Sequence, residues 1–279
     1  MNDREFDLYA YKMAKDFLLK NTPTEVDENL LNKYLNLSRS QVILNSKNDI
    51  CLRLLESAQN TNMKAGVIGR AIGGVKNLGN VLYDFNPDEI VSHYGEDSEK
   101  LMETIFHKID VRGKKRTESN SIWPSYCKTI LSAALFLKQF KDLQDFQRWV
   151  DGNYIDKRTF AAVPFIISYE IFGISLALAC DFLKELGYDG YGKPDVHVKN
   201  IFKGIELCRI NSNDYQVLKS IRRIAENVGQ TAYHVDKLFW LIGSGKFYNN
   251  PEIGNNGMTG RKADEFIKFF NNELKMLQS

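Results

Sequence analysis

Along most of the chain, apolar residues return at intervals of three and four, the period of a helix with one buried face. That spacing predicts helices over 6–19, 50–58, 98–109, 126–140, 160–170, 176–186, 196–208, 215–228, 233–241 and 260–276. Alternation with period two, which marks a half-buried strand, is scarce, and only six prolines interrupt the pattern. The expected fold class is therefore all-α. Turn chemistry separates the helices in two conspicuous places, Asp84-Phe85-Asn86-Pro87 and the stretch from Gly187 to Pro194. The second holds three glycines and a proline in eight residues, so it ends one helix sharply and starts another. No repeat, low-complexity tract or linker stands out.

Size and composition narrow the picture only a little. A chain of 279 residues can bury one large core or two smaller ones. Its 43% hydrophobic and 26% charged residues are ordinary for a globular protein and argue against disorder. A net charge of +2 is too mild to announce a nucleic-acid binder, so any affinity for DNA has to come from a local basic surface. Cys51, Cys127, Cys180 and Cys208 are far apart and form no Cys-x-x-Cys pair, which leaves a zinc ribbon or an iron–sulfur cluster without support. Charged residues follow Met1 where a signal peptide would be apolar, and the apolar run at 161–167 is far short of the roughly 20 residues a bilayer needs. The expectation is a cytoplasmic protein with free thiols, no metal and no cofactor.

The segment richest in chemistry runs from Ile171 to Val198. It reads as helix, tight turn, helix, loop, and a further helix headed by a carboxylate. Gly173 permits a positive φ or a close backbone approach in the turn. Ser175 suits the N-cap of the helix that follows, and amides exposed at such a turn and helix start can hold a phosphate. Asp195, straight after Pro194, is placed to cap the next helix. Its two readings are a bare helix cap and a carboxylate with a chemical task. His197, one turn into that helix, reads as a structural hydrogen-bonding residue.

Ile171-Phe172-Gly173-Ile174-Ser175, Ala179, and Pro194-Asp195-Val196-His197-Val198 together resemble the helix-hairpin-helix, Gly/Pro-rich, aspartate superfamily of DNA glycosylases, which includes endonuclease III and the 8-oxoguanine, adenine and 3-methyladenine glycosylases. Ala177 stands 18 residues before Asp195, the separation that strand-nicking members keep between the hairpin lysine and the aspartate. The chain departs from the pattern where Phe172 replaces a proline, Ser175 the second glycine, and Ala177 the lysine. The cysteines that hold a cluster in endonuclease III are also absent.

The resemblance implies a two-lobed helical fold: a central block at 45–185 ending in the hairpin, and a second block made of 1–44 with 186–279. It implies double-stranded DNA with a modified base as the partner, hydrolysis of an N-glycosidic bond, and a monomer near the nucleoid if the source is bacterial. Phe172, Gly173, Ile174 and Ser175 would contact the phosphate backbone, and Asp195 would be the catalytic carboxylate. Breaking that bond builds positive charge on the sugar. A carboxylate at ~4 Å, with an effective dielectric near 20, offsets about 4 kcal/mol of it, roughly a thousandfold in rate. With Ala177 in place of the lysine, the resemblance implies release of the base without strand cleavage, Lys193 being the one replacement nucleophile and Lys184 lying too far along its helix. The alternatives are a non-catalytic hairpin protein that recognises lesions and a helical protein-interaction module.

Other segments carry weaker signals. Arg112-Gly113-Lys114-Lys115-Arg116 is the densest basic run, either a solvated loop or a set of phosphate contacts through Arg112, Lys114, Lys115 and Arg116. Trp123 and Tyr126 beyond it read as core, with Trp123 a candidate for stacking on a base. Tyr188 and Tyr191, in the loop before Asp195, are the other candidates for a base pocket. The glycines between Gly66 and Gly74 lack the ending of a phosphate loop and read as close helix packing, with Asn62, Lys64 and Arg70 as possible cleft residues. The aromatic helix from Tyr233 to Gly243 reads as core.

Overall fold

The computed structural model describes residues 2–22, 26–36, 43–59, 66–246 and 260–278. Among these are the helices α1 (Asp3–Asn21), α2 (Glu28–Leu35), α3 (Lys47–Ala58), α4 (Val67–Ile72), α5 (Pro87–Tyr94), α6 (Ser98–Lys108), α7 (Ile122–Lys138), α8 (Leu143–Tyr154), α9 (Ala162–Glu170), α10 (Leu176–Glu185), α11 (Val196–Gly204), α12 (Asp214–Val228), α13 (Ala232–Ser244) and α14 (Ala263–Gln278). Short 3-10 turns occupy Val75–Leu78 and Tyr83–Phe85. No β-strand occurs among the described residues, so the fold is all-helical. No helix among the described residues is long and apolar enough to cross a membrane.

Four of these helices, α2, α4, α5 and α8, lie outside the set that the periodicity predicts. The break at Asp84–Pro87 is the start of one of them. The Asn86 side chain accepts hydrogen bonds from the amides of Asp88 and Glu89, and Pro87 occupies the first turn, where its missing N–H costs nothing. In α8 the Asp142 carboxylate caps the Asp145 amide, and Leu143, Phe146 and Val150 form a narrow buried seam. Helix α11 stops at Gly204, short of the predicted Cys208. A Cβ on Gly204 would fall 2.5 Å from Cδ1 of Ile267, and Glu206 then turns the chain with φ +61°.

The chain divides into two compact units, Met1–Gln41 with Gly187–Ser279, and Val42–Leu186. The first gathers α1, α2 and α11–α14 around a core that includes Leu18, Leu31, Ile201, Phe202, Phe239, Phe266 and Phe270. Its two chain segments are joined by a buried polar cluster. Asp7 of α1, wholly enclosed, accepts from Nε and Nη2 of Arg223 at 2.9 Å each and from Nδ2 of Asn227 at 2.7 Å. A second cluster lies around His234, whose neutral ring satisfies both its nitrogens: the Tyr11 hydroxyl donates to Nε2 at 2.8 Å, and Nδ1–H donates to Oδ1 of Asn36 at 3.0 Å. Burial, with Lys237 and Lys15 nearby, pushes the His234 pKa down to about 4.

The second unit is built on α7, which packs against α3, α5 and α6 and more lightly against α9, while α10 packs against α9 and α3. The hydroxyl of buried Tyr126 on α7 donates to the Leu55 carbonyl at 3.0 Å. No disulfide joins the four cysteines. Enclosure in this unit pushes the Cys51 and Cys127 thiols up to about 12, which makes them packing groups rather than nucleophiles.

Candidate functional site

In the second unit, α9, a five-residue turn and α10 form a helical hairpin. Helix α9 ends as Ile171 goes extended, Gly173 takes φ +77°, and Ser175 caps α10 by accepting from the Leu178 amide at 3.3 Å. Ile171 and Ile174 are buried and anchor the turn, while Phe172, Gly173 and Ser175 are exposed. Not all the hairpin amides face outward, which corrects the expectation for Phe172 and Ile174. The Phe172 N–H donates to Oγ of Ser132 on α7 at 3.0 Å, and the Ile174 N–H to the Ile171 carbonyl at 3.2 Å. The amides of Ser175, Leu176 and Ala177 have no hydrogen-bond partner among the described residues, so the donor set sits at the first turn of α10. The Phe172 ring is half exposed, with the Lys128 ammonium 5.8 Å from its centre.

In the first unit, the loop 187–194 delivers Asp195 to the start of α11. Its amide donates to the Lys193 carbonyl at 2.8 Å, which closes a three-residue turn on Pro194. Oδ1 of Asp195 then accepts from the amides of His197 at 2.9 Å and Val198 at 3.1 Å. Oδ2 accepts no hydrogen bond among the described residues, and the side chain is partly exposed. One oxygen fixes the carboxylate and the other remains for a partner. The loop itself is pinned at three points: the Tyr233 amide donates to the Asp189 carbonyl at 2.9 Å, the Lys193 amide donates to Oδ2 of Asp236 at 3.0 Å, and Gly192 backs so closely on Ile221 that a Cβ would fall 2.5 Å from its Cγ2. His197 is a packing residue, edge-on to Trp240 with ring centres 6.5 Å apart.

The remaining candidates separate cleanly. The whole run Arg112–Arg116 is exposed, with Gly113 at φ +92°. Lys115 is tied back by donating to the Phe106 carbonyl at 3.2 Å, whereas the side chains of Arg112, Lys114 and Arg116 have no partner among the described residues. Trp123 is 5% exposed and packs edge-on against Phe106, and Tyr191 is wholly buried. Neither presents a ring face to solvent, a correction to both as base-stacking residues, while Tyr188 is partly exposed. Lys184 is buried and paired with Asp181 at 3.1 Å. Among the glycines at 66–74, Gly69 lies against the Gln59 side chain at the end of α3, where a Cβ would fall 2.7 Å from Oε1. Gly66 and Gly73, at φ +71° and +74°, bracket the six-residue α4. Arg70 on that helix is exposed, and Asn62 and Lys64 lie outside the described residues.

Lys128, Ser132 and Asp236 are the contributors that pattern reading misses. The contacts of Ser132 with Phe172 and of Asp236 with Lys193 join residues 40 and 43 apart, for which local spacing carries no signal. Asp236 alone had a trace in the sequence, an acid inside the otherwise apolar face of α13.

No protein-family model matches the chain, and no curated protein sequence matches it. Among solved structures, one that matches is the 8-oxoguanine glycosylase/lyase of Methanocaldococcus jannaschii in complex with a 15mer DNA containing 8-oxoguanine. The TM-score is 0.50 at 16% identity, over 84% of this chain and 98% of that one. The likeness is one of fold: this all-helical chain has a DNA-glycosylase-like architecture.

Proposed function

We propose that the protein removes a modified base from double-stranded DNA by hydrolysing its N-glycosidic bond and leaves the strand intact. The observation that carries the reading is the half-used carboxylate of Asp195, locked to the start of α11 through Oδ1 with Oδ2 open. The fold shared with a glycosylase/lyase bound to damaged DNA supports the class of substrate. In the proposed reaction the bond between C1′ and the base nitrogen breaks, its electron pair leaving with the base. Asp195 offsets the charge that develops on the sugar and orients the water that adds to C1′. The protons balance because water loses one as the departing base gains one. The target base has to leave the helical stack to be reached.

DNA would be gripped by the open amides at the first turn of α10 and by Arg112, Lys114 and Arg116, which position without reading sequence. Ala177 stands where strand-nicking relatives of the hairpin class carry a lysine, and buried, paired Lys184 offers no amine in its place. Water is therefore the nucleophile, and Lys193 the one lysine whose involvement needs excluding. The protein acts as a monomer inside the cell.

The test is incubation with duplexes that each carry one modified base, 8-oxoguanine, 3-methyladenine or hypoxanthine among them, followed by alkali. Strand breaks that appear only after alkali, with no protein–DNA adduct under borohydride, are the expected result. Binding with no base released from any duplex would favour a lesion-recognition protein. An adduct that disappears in Lys193→Ala would make the protein a lyase and name its nucleophile.

A further inference from the structure

The groups that hold Asp195 in place converge on one face of α13. Asp236, Trp240 and Gly243 follow at intervals of four and three, so they share a helical stripe. That stripe lies along the loop and first turn of α11. Oδ2 of Asp236 accepts from the Lys193 amide at 3.0 Å. Trp240 meets the His197 ring edge-on at 6.5 Å between centres. Gly243 lies so close to His197 that a Cβ there would come 2.7 Å from the histidine Cβ. The three contacts bracket Asp195, two residues before it and two after.

Asp236 is the costly member of this set. It is 3% exposed, and burying a carboxylate is unfavourable unless strong hydrogen bonds compensate. A bond from an amide to an ionised acceptor is about twice as strong as a neutral one. Here it falls on the residue whose carbonyl in turn receives the Asp195 amide at 2.8 Å, so Asp236, Lys193 and Asp195 form one continuous chain of hydrogen bonds. An apolar residue at 236 would suit the surrounding core better and would take the Asp236 acceptor away from the Lys193 N–H.

We propose that Asp236 is a positioning residue for Asp195: it fixes the Lys193–Pro194 turn, and thereby the direction in which Oδ2 of Asp195 points. The inference rests on the reading of Asp195 as the catalytic carboxylate, and displacement of such a group by about 1 Å costs on the order of a hundredfold in rate. Asparagine at 236 keeps an acceptor for the amide, and alanine removes it.

Two measurements on Asp236→Asn and Asp236→Ala test the proposal separately from the reading it rests on. Amide hydrogen exchange, read at residue level by NMR, should show Lys193 protected in the wild type and in Asp236→Asn, and exchanging at least tenfold faster in Asp236→Ala. Single-turnover base release from whichever duplex the wild type cleaves should fall roughly a hundredfold in Asp236→Ala. It should stay within a few-fold of wild type in Asp236→Asn, with affinity for a duplex containing a tetrahydrofuran abasic analogue unchanged in both. Unaltered protection of Lys193 in the folded alanine variant would overturn the proposal, and so would unaltered base release. A wild-type protein that releases no base would defeat the reading of Asp195, and the amide exchange would still decide whether Asp236 holds the turn.

Discussion

The hairpin turn at 171–175 and the turn at 193–195 are both short loops that hand the chain into a capped helix, yet they are held in different ways. The hairpin is anchored by two buried isoleucines and one bond donated by its Phe172 amide to Ser132, and it keeps Phe172, Gly173 and Ser175 at the surface. The Asp195 turn is tied to α13 by the buried Asp236 carboxylate, and its flanks by the bond from the Tyr233 amide to Asp189 and the contact of Gly243 with His197. A surface that takes a phosphate on its amides needs exposure and a particular backbone path, and little else. A carboxylate that has to meet a developing charge needs its direction fixed, which takes rigid support from behind.

That contrast can be broken from the support outward. The largest effect on stability is expected from Asp7→Ala, which takes the buried acceptor away from Asn227 and from the half-exposed Arg223 guanidinium. Chemical denaturation should show a loss of up to about 3 kcal/mol, the range for hydrogen bonds to a charged acceptor, and a loss below about 1 kcal/mol would mean that the cluster carries little of the frame. The His234 cluster gives a pH signature in the same unit. Its folded pKa of about 4 lies below the ordinary 6.5, so the unfolded chain binds more protons between those values. Stability is then fully present above pH 6.5 and falls as the pH drops toward 4, by roughly 3 kcal/mol in total. Denaturation curves at pH 7 and 5 should show a difference that His234→Phe removes, and an equal difference in that variant would assign it to other groups.

Changes in the second unit should be smaller and should touch binding rather than base release. Gly173→Ala places a side chain at φ +77°. It should cost about 1 kcal/mol of stability and weaken affinity for duplex DNA while leaving single-turnover release at saturating protein intact. A slower release would mean that the hairpin does more than grip. Replacing Arg112, Lys114 and Arg116 together by glutamine should leave stability within ~0.5 kcal/mol. The same change should reduce the slope of log affinity against log salt by roughly three units, about one for each lost phosphate contact. An unchanged slope would return the run to the solvated surface.

The elements that were legible in the sequence are those with local causes. Helices such as α1, α7, α12 and α13 announce themselves by period, and Ser175 and Asp195 by cap position ahead of an apolar run. The short α4 and α5 escaped because six or eight residues hold too few turns for a period to appear, although Asn86-Pro87-Asp88-Glu89 carries the chemistry of a helix start. Burial was harder to read. Tyr191 looks like a loop residue and is wholly enclosed, because Gly192 beside it draws the loop onto Ile221. The hairpin amides could be located from Gly173 and Ser175, but the diversion of the Phe172 amide to Ser132 depends on how α7 packs.

Whether the open oxygen of Asp195 meets charge on the sugar is read from single-turnover base release by Asp195→Asn. Asparagine keeps a side-chain oxygen to cap α11, so fold and DNA affinity should be retained and only the charge is lost. Release should be slower by roughly a thousandfold, the rate equivalent of about 4 kcal/mol, with the dissociation constant for an abasic-analogue duplex unchanged. Release at the wild-type rate from a folded Asp195→Asn protein would contradict that role of Asp195.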